Sequence, residues 1–249
     1  MCYHINIMRV LVITDIHANL VALEAVLEKA GEVDAVWCLG DVVGYGPNPN
    51  ECIELVKQQP NLVCLLGNHD AAAIGMLDVS TFNPEARLSV EWTQKELTPD
   101  NKKFLDDRPM THIAGDVTLA HGSPRHPVYE YLLDTRAATE NFEHFQNDFC
   151  FVGHTHLPVL FYMENEDYMA RLTIPSVDET TVLTPRSIIN PGSVGQPRDR
   201  DPRAAYAIYN PETHDWDYSR VEYDIEATQK RMMEHELPER HVMRLTSGW

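Results

Sequence analysis

Short β-branched runs alternate with amphipathic stretches through the first third of the chain, and each run stops on polar residues. RVLVIT, residues 9–14, reads as a strand that ends at Asp15. LVALEAVLEKA follows with apolar residues at 20, 23, 26 and 27, a helix that Asn19 can cap and Gly31 ends. A second run, 35–39, ends at Gly40-Asp41. A helix over about 51–59 then leads to a third run, 62–66, which ends at Gly67-Asn68. Strand, loop, helix, strand at this spacing is a βαβ unit, so the sheet starts parallel.

Helical character continues from Ala71, then over roughly 84–96 and 100–104. Strands take over at 117–120, 149–152, 159–163, 168–174 and 186–189, followed by 204–209 and 216–222. A helix over about 135–145 interrupts them, and another over about 225–235 closes the chain. No linker or low-complexity tract divides the sequence. Residues 1–249 therefore read as one α/β domain with two mixed sheets and helices outside them, residues 1–7 extending the first strand.

Composition narrows the function. The chain carries 38 Asp plus Glu against 20 Lys plus Arg, a net charge of −18. Such a surface repels polyanions, so a long nucleic acid is a poor partner. The five cysteines form no C-x-x-C pair, and Cys38, Cys64 and Cys150 lie in apolar runs, which fits a reducing cytoplasm. No apolar stretch approaches the ~18 residues of a membrane span. The opening MCYHINI has the features of no signal peptide.

The polar residues at the strand ends carry the chemistry. The first run delivers Asp15, His17 and Asn19; the second, Asp41; the third, Asn68, His69 and Asp70. His121-Gly122 and Gly153-His154-Thr155-His156 follow later runs. Ligands of open α/β sheets bind beyond the carboxyl ends of strands, so these deliveries converge on one place. Carboxylate, imidazole and amide oxygen together suit Mn, Fe, Zn or Ni better than Ca or Mg. In FVGHTHLPVL the two histidines are two apart, and such side chains in an extended segment point the same way. From the spacing alone they hold one metal, hold two, or cap the sheet.

DxHxN, GD, GNHD, an isolated His-Gly and GHTH, in this order, resemble the calcineurin-like metallophosphoesterases. GYGPNP after GD, and NPGSVGQPR at 190–198, are similar to their small single-domain bacterial and archaeal phosphodiesterase branch. The resemblance covers residues 8 to about 210. It implies a four-layer α/β/β/α sandwich of two mixed sheets, and two divalent metals, manganese foremost. One metal takes Asp15, His17 and His156, the other Asn68, His121 and His154, and Asp41 bridges them. Metal-bound hydroxide then attacks phosphorus in line. His69 stands beside the phosphate, as leaving-group acid or charge stabiliser, with its ring oriented by Asp70; a purely structural His–Asp pair is the alternative. Asn19 caps its helix, supports the site from behind, or does both. Tyr45, Arg125 and Arg198 lie in loops after the motifs, placed to touch substrate oxygens or simply to face solvent.

The resemblance therefore implies a phosphoesterase acting on phosphodiesters or small nucleotides. The alternatives are a dinucleoside polyphosphate hydrolase, a protein serine/threonine phosphatase, and a non-catalytic scaffold of the same fold. The arginines that the protein phosphatases carry near GD and GNH are missing, with Gly44-Tyr45 and Leu66-Gly67 in their places, and the scaffold lacks the histidine that His69 supplies here. The expected partner is a small phosphoester, with no long nucleic acid and no membrane. A homo-oligomer is compatible with all of this.

Overall fold

The structure, a computed structural model, describes residues 8–164 and 168–249, so the expected extension at 1–7 lies outside the described residues. In the first sheet β1 (Val10–Ile13) pairs in parallel with β2 (Ala35–Cys38), which pairs in parallel with β3 (Val63–Cys64). On the other side β1 pairs antiparallel with β11 (Ala204–Tyr209), followed by β12 (Asp215–Val221) and β9 (Glu179–Val182). The second sheet runs β4 (Thr111–Ala114), β5 (Val117–Ala120), β6 (Phe149–Phe151), β10 (Ser187–Pro191), β7 (Pro158–Tyr162), β8 (Arg171–Thr173).

Alternation along β1 explains the layering. Leu11 and Ile13 pack with Leu23 and Val26 of α1 (Leu20–Ala30) and Ile53 and Val56 of α2 (Pro49–Lys57). Val10 and Val12 face the other way, into a core shared with Val117, Leu119, Phe149 and Phe151 of the second sheet. Because both faces of β1 are covered, the strand is apolar at every position. On the far face of the second sheet, Cys150 and Ile188 pack with Ala138 of α6 (Thr135–Asn141) and with Phe142. Helices, sheet, sheet and helix are thus stacked in four layers.

Helices α3 (Asn68–Ala73), α4 (Pro84–Glu96) and α5 (Pro99–Asp106) follow β3. Helix α7 (Ile225–Glu234) does not close the chain as its pattern suggests: α8 (Glu239–Ser247) follows it. Only a thin stripe of α8 is buried, at His241, Val242 and Leu245, of which Val242 and Leu245 pack with Met232 of α7 and Trp92 of α4. Edge strands β4 and β9, also unexpected, are mostly exposed and so carry no apolar period. The strand expected over 168–174 shrinks to β8, because only Arg171 to Thr173 pair with β7.

Candidate metal centre

The polar deliveries lie beyond the carboxyl ends of β1, β2, β3, β5 and β6, which are parallel within each sheet. Two sheet edges therefore bracket one buried cluster. The loop after β1 and the loop after β2 are zipped together: the N–H groups of Asp15, His17 and Ala18 donate to the carbonyls of Gly40, Asp41 and Val42 at 3.1, 3.0 and 2.9 Å.

Five of the seven expected metal ligands hold left-handed backbone, with φ of 53° at Asp15, 49° at His17, 53° at Asp41, 67° at His154 and 60° at His156. Non-glycine residues persist in that region only where their surroundings over-determine them, and such strain collects at functional sites. The GHTH segment is accordingly not the end of an extended strand. Strand β6 stops at Phe151, and the histidines sit on a turn that sends them to different groups. His156 lies with Asp15 and His17, and His154 with Asp41 and His121.

The hydrogen bonds made by the histidines decide their tautomers, since a carbonyl can only accept. Nδ1–H of His17, His121 and His156 donates to the carbonyls of Val43, Leu39 and Gln196 at 3.1, 3.0 and 2.6 Å. Nε2–H of His154 donates to the Tyr129 carbonyl at 3.2 Å. Backbone carbonyls behind a ring are the usual means of aiming its other nitrogen at a metal. Burial holds His17 and His156 well below the ordinary imidazole range, and draws His154 to about 3.

Lone pairs then face lone pairs. The Nε2 atoms of His17 and His156 are 3.1 Å apart, and Asp15 Oδ1, buried with no hydrogen-bond partner, is 3.7 and 3.4 Å from them. His121 Nε2 faces Asn68 Oδ1 at 3.1 Å and Asp41 Oδ2 at 3.4 Å. Asp41 Oδ2 also lies 3.7 Å from His17 Nε2, between the two groups. For His121, burial lowers the pKa but Asp41 and the other carboxylates outweigh it, lifting the ring to about 9, so that a proton and a cation compete for the Nε2 lone pair. Burial pushes Asp15 up to about 7. Acceptors converging in a sealed site call for cations, and the donor set of carboxylate, imidazole and amide oxygen fits them.

The remaining expected residues divide. His69 is buried, 4.9 Å from His17 between ring centroids, and burial draws it down to about 4. Asp70 does not orient it. The Asp70 carboxylate accepts N–H bonds from Val43 and Gly67 at 3.0 and 3.1 Å, while His69 Nδ1 is buried with no partner. At the start of α3 two backbone N–H groups orient the Asp70 carboxylate, and no hydrogen bond joins it to the His69 ring. Asn19 is spent on structure: Oδ1 accepts from Ala22 N and Thr228 Oγ1, and Nδ2 donates to the Gly195 carbonyl. The charge of Arg125 is compensated by Glu130 and Glu140. Tyr45 packs on His17 and His69, with centroids at 4.6 and 4.3 Å, and Arg198 reaches the Tyr45 hydroxyl at 3.5 Å.

Sequence reasoning missed residues that hold or wall the centre. NPGSVGQPR is a clamp: Asn190 Nδ2 donates to the Gly153 carbonyl, Ser193 Oγ to the Asp15 carbonyl, and the Gln196 carbonyl positions His156. Tyr131 stacks on His154, with centroids 3.8 Å apart. With Phe82, Tyr129, His69 and Asn68 it lines a cleft of about 290 Å³ beside the cluster. Aromatic residues in loops of no periodicity leave no signal in a single sequence.

A family model for the calcineurin-like phosphoesterase superfamily domain matches residues 8–214. The chain belongs to the calcineurin-like phosphoesterase superfamily. Among its relatives is an uncharacterized protein of Methanocaldococcus jannaschii, 38% identical over 235 residues, spanning 92% of this chain and 93% of that one. The crystal structure of a metallophosphoesterase from Sphaerobacter thermophilus superposes with a TM-score of 0.90 at 48% identity, covering 98% of this chain and all of the other. A symmetrical bis(5'-nucleosyl)-tetraphosphatase of Pectobacterium carotovorum is 31% identical over 110 residues, 42% of this chain and 39% of that enzyme. Membership makes this chain a metal-dependent phosphoric ester hydrolase. No helix among the described residues is long and apolar enough to cross a membrane.

Proposed function

We propose that this calcineurin-like phosphoesterase uses two divalent cations, manganese foremost, to hydrolyse phosphodiesters or small nucleotides. The observation that carries this reading is the position of Asp41 Oδ2 between two converging donor groups, 3.7 Å from His17 Nε2 and 3.4 Å from His121 Nε2. Asp15, His17 and His156 would hold one cation and Asn68, His121 and His154 the other, with Asp41 shared. Bound there, the pair supplies Lewis acidity toward the phosphoryl oxygens and makes a nucleophile of water near neutral pH. His69 lines the cleft and assists the leaving oxygen, as an acid once the incoming phosphate offsets the burial that holds its ring neutral, or as a stabiliser of its charge. The aromatic walls Phe82, Tyr129 and Tyr131 suit the flat ring of a nucleoside.

The match to bis(5'-nucleosyl)-tetraphosphatases favours a second reading within the same chemistry, hydrolysis of dinucleoside polyphosphates. Free, buried Cys38, Cys52, Cys64 and Cys150 support a reducing cytoplasm as its compartment. The test is a screen of manganese-loaded enzyme against diesters, cyclic nucleotides, dinucleoside polyphosphates and phosphopeptides. Turnover of a diester or nucleotide that a chelator abolishes is expected. A preference for phosphopeptides, or turnover indifferent to chelation, overturns the proposal.

A further inference from the structure

Arg198, in the loop after β10, and Arg244, on α8, donate to one atom. Arg198 Nη2 is 2.9 Å and Arg244 Nη1 3.1 Å from Oε1 of buried Gln196. Two guanidinium groups are thus drawn together on a neutral acceptor. Neither has a carboxylate partner among the described residues, whereas nearby Arg203, Arg220 and Arg240 pair with Asp201, Asp199 and Glu85. The Nε atoms of both Arg198 and Arg244 are buried and unpartnered. Acidic side chains outnumber basic ones 38 to 20, so paired cations without a carboxylate are not a matter of supply. Like charges held together and incompletely hydrogen-bonded are costly unless an anion joins them.

Their place says which anion. The Arg198 guanidinium carbon is 5.7 Å from the Tyr45 ring centroid, and that ring is 4.6 Å from the ring of His17. The pair therefore lies one aromatic ring away from the donor cluster, a separation that neighbouring phosphates of one chain can bridge. Guanidinium forks match phosphate oxygens in shape as well as charge.

We propose that Arg198 and Arg244, joined through Gln196, form a second phosphate subsite that selects substrates with a further phosphate beyond the one cleaved. This rests on the phosphoesterase reading above and narrows it to nucleoside di- and polyphosphates over simple diesters. Arg244 is the addition, since α8 carries no recognisable motif.

The experiment compares manganese-loaded wild type with Arg244→Gln on diadenosine tetraphosphate and on bis(p-nitrophenyl) phosphate, which has a single phosphate. Loss of a charge-assisted contact should raise KM for the tetraphosphate roughly 10- to 100-fold, and that for the diester less than about threefold. Arg244→Lys should fall between. Arg240→Gln, on the same helix but paired with Glu85, should leave both KM values alone. Equal changes on the two substrates, or none, overturn the subsite. If wild type turns over neither substrate, the phosphoesterase reading has failed, and calorimetry with tripolyphosphate on metal-stripped protein still decides the subsite. Binding weakened at least about tenfold by Arg244→Gln supports it, and unchanged binding overturns it.

Discussion

Gly67 lies so close to Asp41 that a Cβ built on it would stand 2.0 Å from Asp41 Oδ1 and 2.3 Å from the Asp41 amide nitrogen. The same Oδ1 accepts the His69 N–H at 2.9 Å, which leaves Oδ2 turned toward the donor groups. Gly67→Ala must push the GNHD loop off Asp41, and backbone cannot yield as a flexible side chain does. A loss of about 2–4 kcal/mol in urea unfolding is expected, with lower metal content. Full stability and full metal content in this variant would contradict the packing.

Asp41 is the donor shared by both groups, so its replacement should act on both. After chelation and reloading with manganese, Asp41→Asn should retain much less of both ions, measured by elemental analysis. His154→Ala should mainly weaken the one beside His121. Equal losses in the two variants would argue against a shared carboxylate.

The donors of this centre are legible because each interrupts an apolar run at a strand end, where burying a polar side chain requires a partner. The partition of His154 and His156 is not, because period-two reasoning assumes extended backbone and both residues are left-handed. The GNHD phrase suggests a His–Asp pair, yet Asp70 turns to the backbone of Val43 and Gly67, since a capping carboxylate satisfies nearby N–H groups first. The inner strands are visible from composition because both faces are covered. Helix α8 is hidden, as three buried side chains among nine make a weak stripe, and Arg244 is hidden with it.

His69 separates binding from chemistry. His69→Ala should keep both ions and lower kcat on an alkyl phosphodiester by roughly 10²–10⁴, the usual worth of a positioned acid or base. A p-nitrophenyl leaving group needs no proton, so the loss on that ester should be smaller. Undiminished turnover of the alkyl ester would remove His69 from the proposed role.

His241 gives the fold a pH dependence of its own. It is buried against Tyr45, with ring centroids 4.6 Å apart, and Ser89 Oγ meets its Nδ1 at 3.0 Å. Burial, with Arg244 and other nearby cations, lowers its pKa from 6.5 to about 3. The unfolded chain therefore takes up the proton first as pH falls. The neutral ring's contribution is complete above 6.5 and is lost progressively from there down to about 3, by at most about 1.4 kcal/mol per pH unit. His241→Gln should flatten urea-unfolding stability over that interval. An unchanged slope would show that the ring takes up its proton as readily in the folded protein as in the unfolded chain.

Net charge sets the last expectation. With 38 acidic against 20 basic side chains, the average field opposes an approaching polyanion. Cations bound at the proposed centre, with Arg198 beside it, would offset that field over a few phosphates but provide no basic track for a polymer. The one cluster of arginines in sequence, at 198, 200 and 203, does not supply a track. Arg203 is paired with Asp201, and Arg200 stacks on Trp249 with its guanidinium carbon 4.9 Å from the ring centroid. Long DNA should consequently bind weakly, and turnover of a small diester should change little with salt or rise slightly as repulsion is screened. Gel-shift binding to long DNA, run beside diester kinetics across a salt series, checks both halves. Sub-micromolar DNA binding that falls steeply with salt would reject the small-substrate reading and make the 198–203 loop the first place to look for phosphate contacts.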